Sequence, residues 1–190
     1  MKKNELRKIY KEKRKTLSLE EMEKMNDLVL IQFQKIPLPY INCVHTYLAS
    51  LKLAEADTAK VIRFLQFQNP QLKVVVPKID IRSGNINHLH FNETSELIEN
   101  AFGIDEPKTG EKISADEIDM ILVPLLAFDK KGFRVGYGKG FYDKFLFQCR
   151  IDAIKIGLSF FDPVDEIDDI NPFDIPLNYC ATSKQLFTFN

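Results

Sequence analysis

Hydrophobic positions along the chain fall into two alternating rhythms. Leu6, Ile9 and Tyr10 recur at three- and four-residue spacing, with Leu17 just beyond, which predicts a helix over residues 4–16. Ser18-Leu19-Glu20-Glu21 is a capping box that opens a second helix running to about Lys35, and Pro37 and Pro39 stop it. The apolar run Ile41–Ala49 reads as a strand. Asp57 or Thr58 caps a helix that ends near Gln68, before Asn69-Pro70. Lys73–Ile79 is a β-branched run and predicts a buried strand; Asn87–Phe91 alternates and predicts another. Thr94 and Ser95 introduce a short helix ending near Gly103, and Ser114–Glu117 is a second capping box for a single turn. Ile118–Phe128 is the strongest apolar strand, interrupted by Pro124. A helix over Gly140–Cys149 and strands over Ala153–Phe161 and Leu186–Phe189 complete the series. Strands alternating with helices argue for an α/β fold with a largely parallel sheet. Neither a repeat nor a long linker divides the chain, so residues 1–190 are expected to form a single domain.

Composition narrows the class. The chain has 190 residues, 45% hydrophobic and 28% charged, enough to build a core without disulfides or structural metal. A formal net charge of −1 argues against a general nucleic-acid binder. The apolar run Met120–Phe128 is far shorter than the roughly 20 residues of a membrane helix. The opening Met1-Lys2-Lys3-Asn4-Glu5 has no apolar segment behind it, and Cys43, Cys149 and Cys180 are too scattered for a disulfide framework or a zinc site. A cytoplasmic protein is therefore expected, with no membrane or nucleic-acid partner. His88-Leu89-His90 places two imidazoles on one strand face, and the reading adopted is an exposed edge strand rather than a metal site.

Charge is unevenly spread, and this alters the picture. Residues 1–15 hold eight Lys and Arg against two Glu, a local +6, which leaves −7 for the other 175 residues. Residues 162–174 carry six acidic side chains and no basic one. A basic N-terminal helix and an acidic C-terminal loop are thus candidates to face each other across a site, solvated surface being the alternative.

The densest chemistry lies between residues 122 and 143. A buried strand ends at Phe128, a turn follows over Asp129–Gly132, and Gly136, Gly138 and Gly140 then precede a helix. Glycines at the carboxyl end of a strand let backbone N–H groups approach an anion, and a helix N-terminus adds a favourable dipole. This is neither a Walker A loop, because Gly140 follows Lys139, nor a GxGxxG fingerprint. Arg134 adds a guanidinium fork, Lys139 a point charge and Asp143 a hard oxygen ligand; together they read as a nucleoside triphosphate–Mg²⁺ site.

Val123-Pro-Leu-Leu-Ala-Phe-Asp129 followed by Gly132-Phe-Arg134-Val-Gly136-Tyr137-Gly138-Lys139-Gly140-Phe141-Tyr142-Asp143 resembles the signature of the 5-formyltetrahydrofolate cyclo-ligase (methenyltetrahydrofolate synthetase) family. Further matches are Lys3-Asn-Glu-Leu-Arg7, Glu55-Ala-Asp-Thr58, Phe102-Gly-Ile-Asp-Glu-Pro107 and Asp174–Thr182, so the resemblance spans nearly the whole chain. It implies a three-layer α/β/α fold, similar to sugar-phosphate isomerases and CoA-transferase-like proteins. It also implies an ATP- and Mg²⁺-dependent ligase: ATP phosphorylates the formyl oxygen of 5-formyltetrahydrofolate, N10 attacks, phosphate leaves, and 5,10-methenyltetrahydrofolate forms. By resemblance, Lys3, Asn4, Glu5, Leu6 and Arg7 together with Arg134, Val135, Gly136, Tyr137, Gly138, Lys139, Gly140, Phe141 and Tyr142 bind ATP. Arg134, Lys139 and Tyr142 are the expected catalytic residues. Glu55, Tyr137 and Phe141 are the expected folate contacts, and Asp143 and Asp174 the magnesium carboxylates. A monomer is expected. The chain departs from the family at Phe141, where a second tyrosine is usual, and at Phe173, where a polar residue is common. The competing readings are a non-catalytic module that binds the same ligands, a nucleic-acid binder using the basic helix, and an ATP-independent enzyme on a related fold.

Overall fold

The computed structural model describes residues 1–81 and 83–189. A seven-stranded sheet runs through its centre, built from β1 (Cys43–His45), β2 (Lys73–Asp80), β3 (Asn85–His90), β6 (Met120–Val123), β9 (Ile154–Ser159), β10 (Tyr179–Thr182) and β11 (Leu186–Thr188). Their order across the sheet is β11-β10-β9-β6-β1-β2-β3. Five central strands are parallel, while β3 and β11 close the two edges antiparallel.

Helices α2 (Leu19–Phe33) and α3 (Thr58–Gln68) cover one face, and α4 (Phe141–Gln148) covers the other. Both faces of the sheet are therefore dry. Along β6, Met120 and Leu122 pack with α2 and α3, whereas Ile121 and Val123 pack with α4, which explains why this strand reads as an unbroken apolar run. The three-layer arrangement is the one expected. Helix α1 (Lys3–Lys15) lies outside these layers and packs Leu6 and Tyr10 on Leu126, Val135 and Ile167.

Four local expectations change. The strand expected over 41–49 pairs only at Cys43–His45; the chain then leaves the sheet, and Tyr47 and Leu48 line a cavity. The helix expected after Thr94 is instead a hairpin of β4 (Leu97–Glu99) and β5 (Asp105–Pro107). Its turn is built by Asn100, whose side-chain oxygen accepts from the N–H groups of Phe102 (2.9 Å) and Ile104 (3.2 Å), with Gly103 at φ +72°. The strand over 118–128 divides at Pro124, which lacks an N–H for the ladder; β6 ends at Val123, and β7 (Ala127–Phe128) pairs antiparallel with β8 (Arg134–Val135). Finally, β3 is an edge strand, but His88 is buried under α4, its ring 5.2 Å from that of His45 and 4.1 Å from that of Phe145. Strand β10 was absent from the predicted series. No helix among the described residues is long and apolar enough to cross a membrane.

Candidate active site

One cavity of about 690 Å³ opens at the carboxyl ends of β1 and β6, where Tyr47 and Pro124 line it. Three segments distant in sequence converge there: the start of α1, the loop from Arg134 to Asp143, and the acidic stretch ending at Asp174.

The loop is held from beneath by Asp129, which is fully buried. One carboxylate oxygen accepts from the N–H groups of Lys131 (2.9 Å) and Phe133 (3.0 Å), and the other from Ile167 N–H (3.2 Å). A single side chain thus shapes the β7–β8 turn and ties the acidic segment to it.

Helix α1 is docked by its charges. The Lys3 ammonium pairs with Asp174, and the Lys3 backbone N–H donates to Asp169 at 2.7 Å. Arg7 Nε donates to the Gly136 carbonyl at 2.9 Å. Gly138 sits at φ +90°, and a Cβ there would lie 3.1 Å from the Arg7 guanidinium, so this position needs glycine for its backbone and for its neighbour. Gly140, at φ +71°, turns the chain into α4.

Tyr137 connects the loop to Glu55. Its hydroxyl donates to Glu55 Oε1 at 2.7 Å and accepts from Arg14 at 3.1 Å, while Glu55 Oε2 accepts from Ser50 N–H at 3.0 Å. Burial, reinforced by the Glu55 charge, raises the Tyr137 pKa, so the phenol stays protonated and acts as a donor. Arg14 also donates to the Leu125 carbonyl at 2.5 Å.

Of the expected residues, Lys3, Asn4, Arg7, Glu55, Gly136, Tyr137, Gly138, Lys139, Gly140, Phe141, Tyr142, Asp143, Asp174 and Arg134 all line the cavity. Glu5, Leu6 and Val135 do not. Glu5 accepts from Lys2 N–H at 3.0 Å, and Leu6 and Val135 are buried in the apolar contact between α1 and the loop. Two others face in unexpected directions. The Arg134 guanidinium is buried and committed to protein partners, the Ile175 carbonyl at 2.6 Å and Asp143 Oδ1 at 2.7 Å. Burial lowers its pKa and the adjacent Asp143 opposes that fall. The Tyr142 hydroxyl is buried away from solvent with no partner among the described residues, and its ring lies 6.0 Å from that of His45. Burial raises its pKa, and the Glu55 charge adds to the effect.

Asp143 and Asp174 both act electrostatically on Arg134, and each is paired with a cation. Among the described residues no three His, Cys, Asp or Glu side chains form a metal cage. Two carboxylates with phosphate oxygens are the donor set that suits Mg²⁺ arriving with a nucleotide. Burial pushes His45 well below the usual imidazole value and His88 down to about 4, and neither lines the cavity. The cysteines are equally inert, since burial raises Cys43 and Cys149 to about 11.

Sequence reasoning missed Arg14, Asn100, Phe102 and Glu106. For Arg14 a signal existed: Lys3, Arg7, Lys11 and Arg14 follow at four- and three-residue steps, a single stripe along α1. Glu106 and Phe102 lay within a quoted motif whose side chains were given no role.

A family model described as "5-formyltetrahydrofolate cyclo-ligase family" matches residues 1–179. The 5-formyltetrahydrofolate cyclo-ligase of Escherichia coli K12 is 30% identical over 184 residues, which cover 94% of this chain and 99% of that protein. The NMR structure of Aquifex aeolicus 5,10-methenyltetrahydrofolate synthetase superposes with a TM-score of 0.80 at 29% identity, covering 100% of this chain and 94% of the other. A Mycoplasma pneumoniae 5,10-methenyltetrahydrofolate synthetase gives a TM-score of 0.75 at 25% identity, over 96% and 99% of the two chains.

Proposed function

The chain belongs to the 5-formyltetrahydrofolate cyclo-ligase family, and on that premise we propose how its own residues carry out the ATP-dependent conversion of 5-formyltetrahydrofolate to 5,10-methenyltetrahydrofolate. The observation that carries the reading is the convergence of α1, the glycine loop and Glu55 on one cavity.

A formyl amide is a poor electrophile and its oxygen a poor leaving group. Transfer of the γ-phosphoryl group of ATP to that oxygen corrects both, after which N10 closes the ring and phosphate departs beside ADP. Phosphoryl transfer is limited by alignment and charge neutralisation more than by covalent participation of the protein. Lys3, Arg7 and Lys139 supply the positive charge, and the backbone of residues 136–140 supplies close N–H groups. Asp143 and Asp174 would hold Mg²⁺, which would supply positive charge to neutralise the phosphates. Arg134 is the positioning residue that keeps Asp143 in place from below. Glu55, fixed by Tyr137 and Ser50, accepts a hydrogen bond from the folate, and Phe141 with the Tyr142 ring walls the substrate. The whole chain, residues 1–190, works as one domain and as a cytoplasmic monomer.

The test is to mix the protein with 5-formyltetrahydrofolate, Mg²⁺ and ATP and to follow the near-ultraviolet absorbance of the methenyl product, omitting ATP as control. An ATP-dependent rise is expected, reduced about 100-fold or more by Lys139→Ala. No rise in the complete mixture, with both ligands still bound, overturns catalysis in favour of a binding module.

A further inference from the structure

Besides Glu55, a second buried glutamate lines the cavity, and it is built differently. Glu106 on β5 is only 7% exposed. Its Oε2 accepts from Ile79 N–H on β2 (3.1 Å) and from the Asn100 side-chain amide (3.0 Å). The same Asn100 shapes the 100–104 turn, so the carboxylate is fixed on two sides. Among the described residues its other oxygen, Oε1, has no donor, and no cation lies within ion-pair distance of Glu106. Pro77, Ile79, Ile86 and Ile104 share this part of the cavity. Glu55 is the contrast: each of its oxygens already accepts from the protein.

A carboxylate accepts at both oxygens, and Oε1, which has no protein donor among the described residues and opens into the cavity, is left to accept from what the cavity holds. Oε2 already carries two donors, so a ligand must bring its N–H to Oε1. The 2-amino-4-oxopyrimidine ring of the folate offers two such donors side by side, its 2-amino group and N3–H.

We propose that Glu106, held by Asn100, is the residue that reads the 2-amino–N3–H edge of the substrate's pyrimidine ring. The inference rests on the folate reading of the cavity and adds a specificity residue to it. Glu55, tied to Tyr137 and hence to the glycine loop, then stands at the phosphoryl-transfer end.

The test is calorimetric binding by the full-length chain of 5-formyltetrahydrofolate and of its analogue with hydrogen in place of the 2-amino group, each without ATP. Wild type is expected to bind the analogue about tenfold more weakly. Glu106→Gln keeps the acceptor for Ile79 and Asn100 but presents an amide to the ligand. It should bind 5-formyltetrahydrofolate about tenfold more weakly, lose the discrimination between the two compounds, and leave ATP affinity unchanged. Equal wild-type affinity for the two compounds, or discrimination that survives in Glu106→Gln, overturns the inference while leaving the cyclo-ligase reading intact. Equal losses of folate and ATP affinity with a lowered Tm reduce Glu106 to a structural tie and overturn it too. Should Glu106→Gln not fold, Glu106→Asp, which withdraws the carboxylate by one methylene, must narrow the discrimination. Wild type that binds neither compound overturns the substrate assignment itself.

Discussion

Two consecutive helices of similar length, α1 and α2, are attached to the body of the protein by opposite means. Helix α2 buries Met22, Val29 and Phe33 against the sheet and α3, and its N-terminus is closed by the Ser18–Glu21 capping box. Helix α1 buries only Leu6, Tyr10 and Arg14, and is otherwise fastened through Lys3, Arg7 and Arg14. Its polar partners are Asp174, the Gly136 carbonyl, Tyr137 and the Leu125 carbonyl, which belong to the cavity or its floor. Apolar docking builds a scaffold indifferent to what the cavity holds. Polar docking makes the attachment of α1 and the shape of the site a single property.

Substitutions on the two helices should therefore separate into different observables. The largest expected effect is on α2: Phe33→Ala removes a fully buried ring and should cost about 3–5 kcal/mol in denaturant unfolding, with kcat/KM per folded molecule unchanged. On α1, Arg14→Ala should lower kcat/KM by about 100-fold while costing about 1–3 kcal/mol of stability, because it leaves the Leu125 carbonyl without its donor and frees Tyr137. Lys3→Ala should raise KM for ATP by about tenfold and cost about 1–3 kcal/mol by leaving the largely buried Asp174 without its cation, and the ATP affinity of the variant should depend less on salt than that of wild type. The smallest effect returns to α2: Ser18→Ala should cost about 1 kcal/mol through the lost cap and leave both KM values untouched. A loss of ATP affinity in Phe33→Ala, or a loss of stability without loss of turnover in Arg14→Ala, breaks the contrast.

The same contrast governs what the sequence reveals. Helices α1, α2, α3 and α4 and strands β2, β6 and β9 were legible because local signals agree with tertiary demand: capping residues, apolar periodicity and β-branched runs. The segment after Thr94 was not, because its caps compete with the Asn100 turn, whose energy lies in one side chain bridging two backbone N–H groups. Strand β1 was overextended because Thr46–Ala49 is apolar enough for a strand yet walls a cavity instead. At the site, the glycine loop and its charges were visible as a motif, whereas their pairings were not. Nothing in the spacing shows that the Arg134 guanidinium faces Asp143 and the Ile175 carbonyl, nor that the Tyr142 hydroxyl is buried without a partner among the described residues. His88 reads as a polar residue on an edge strand, and only the placement of α4 over that edge buries it.

The distribution of aromatic side chains also decides how this protein can be observed. The chain has six tyrosines and no tryptophan, and Tyr47, Tyr137 and Tyr142 all line the cavity. Half of the intrinsic fluorophores are therefore reporters of occupancy, and ligand binding should register in tyrosine emission without any label. Phe102→Trp, at a ring 5.5 Å from the Lys139 ammonium, would add a spectrally separate signal from the same cavity.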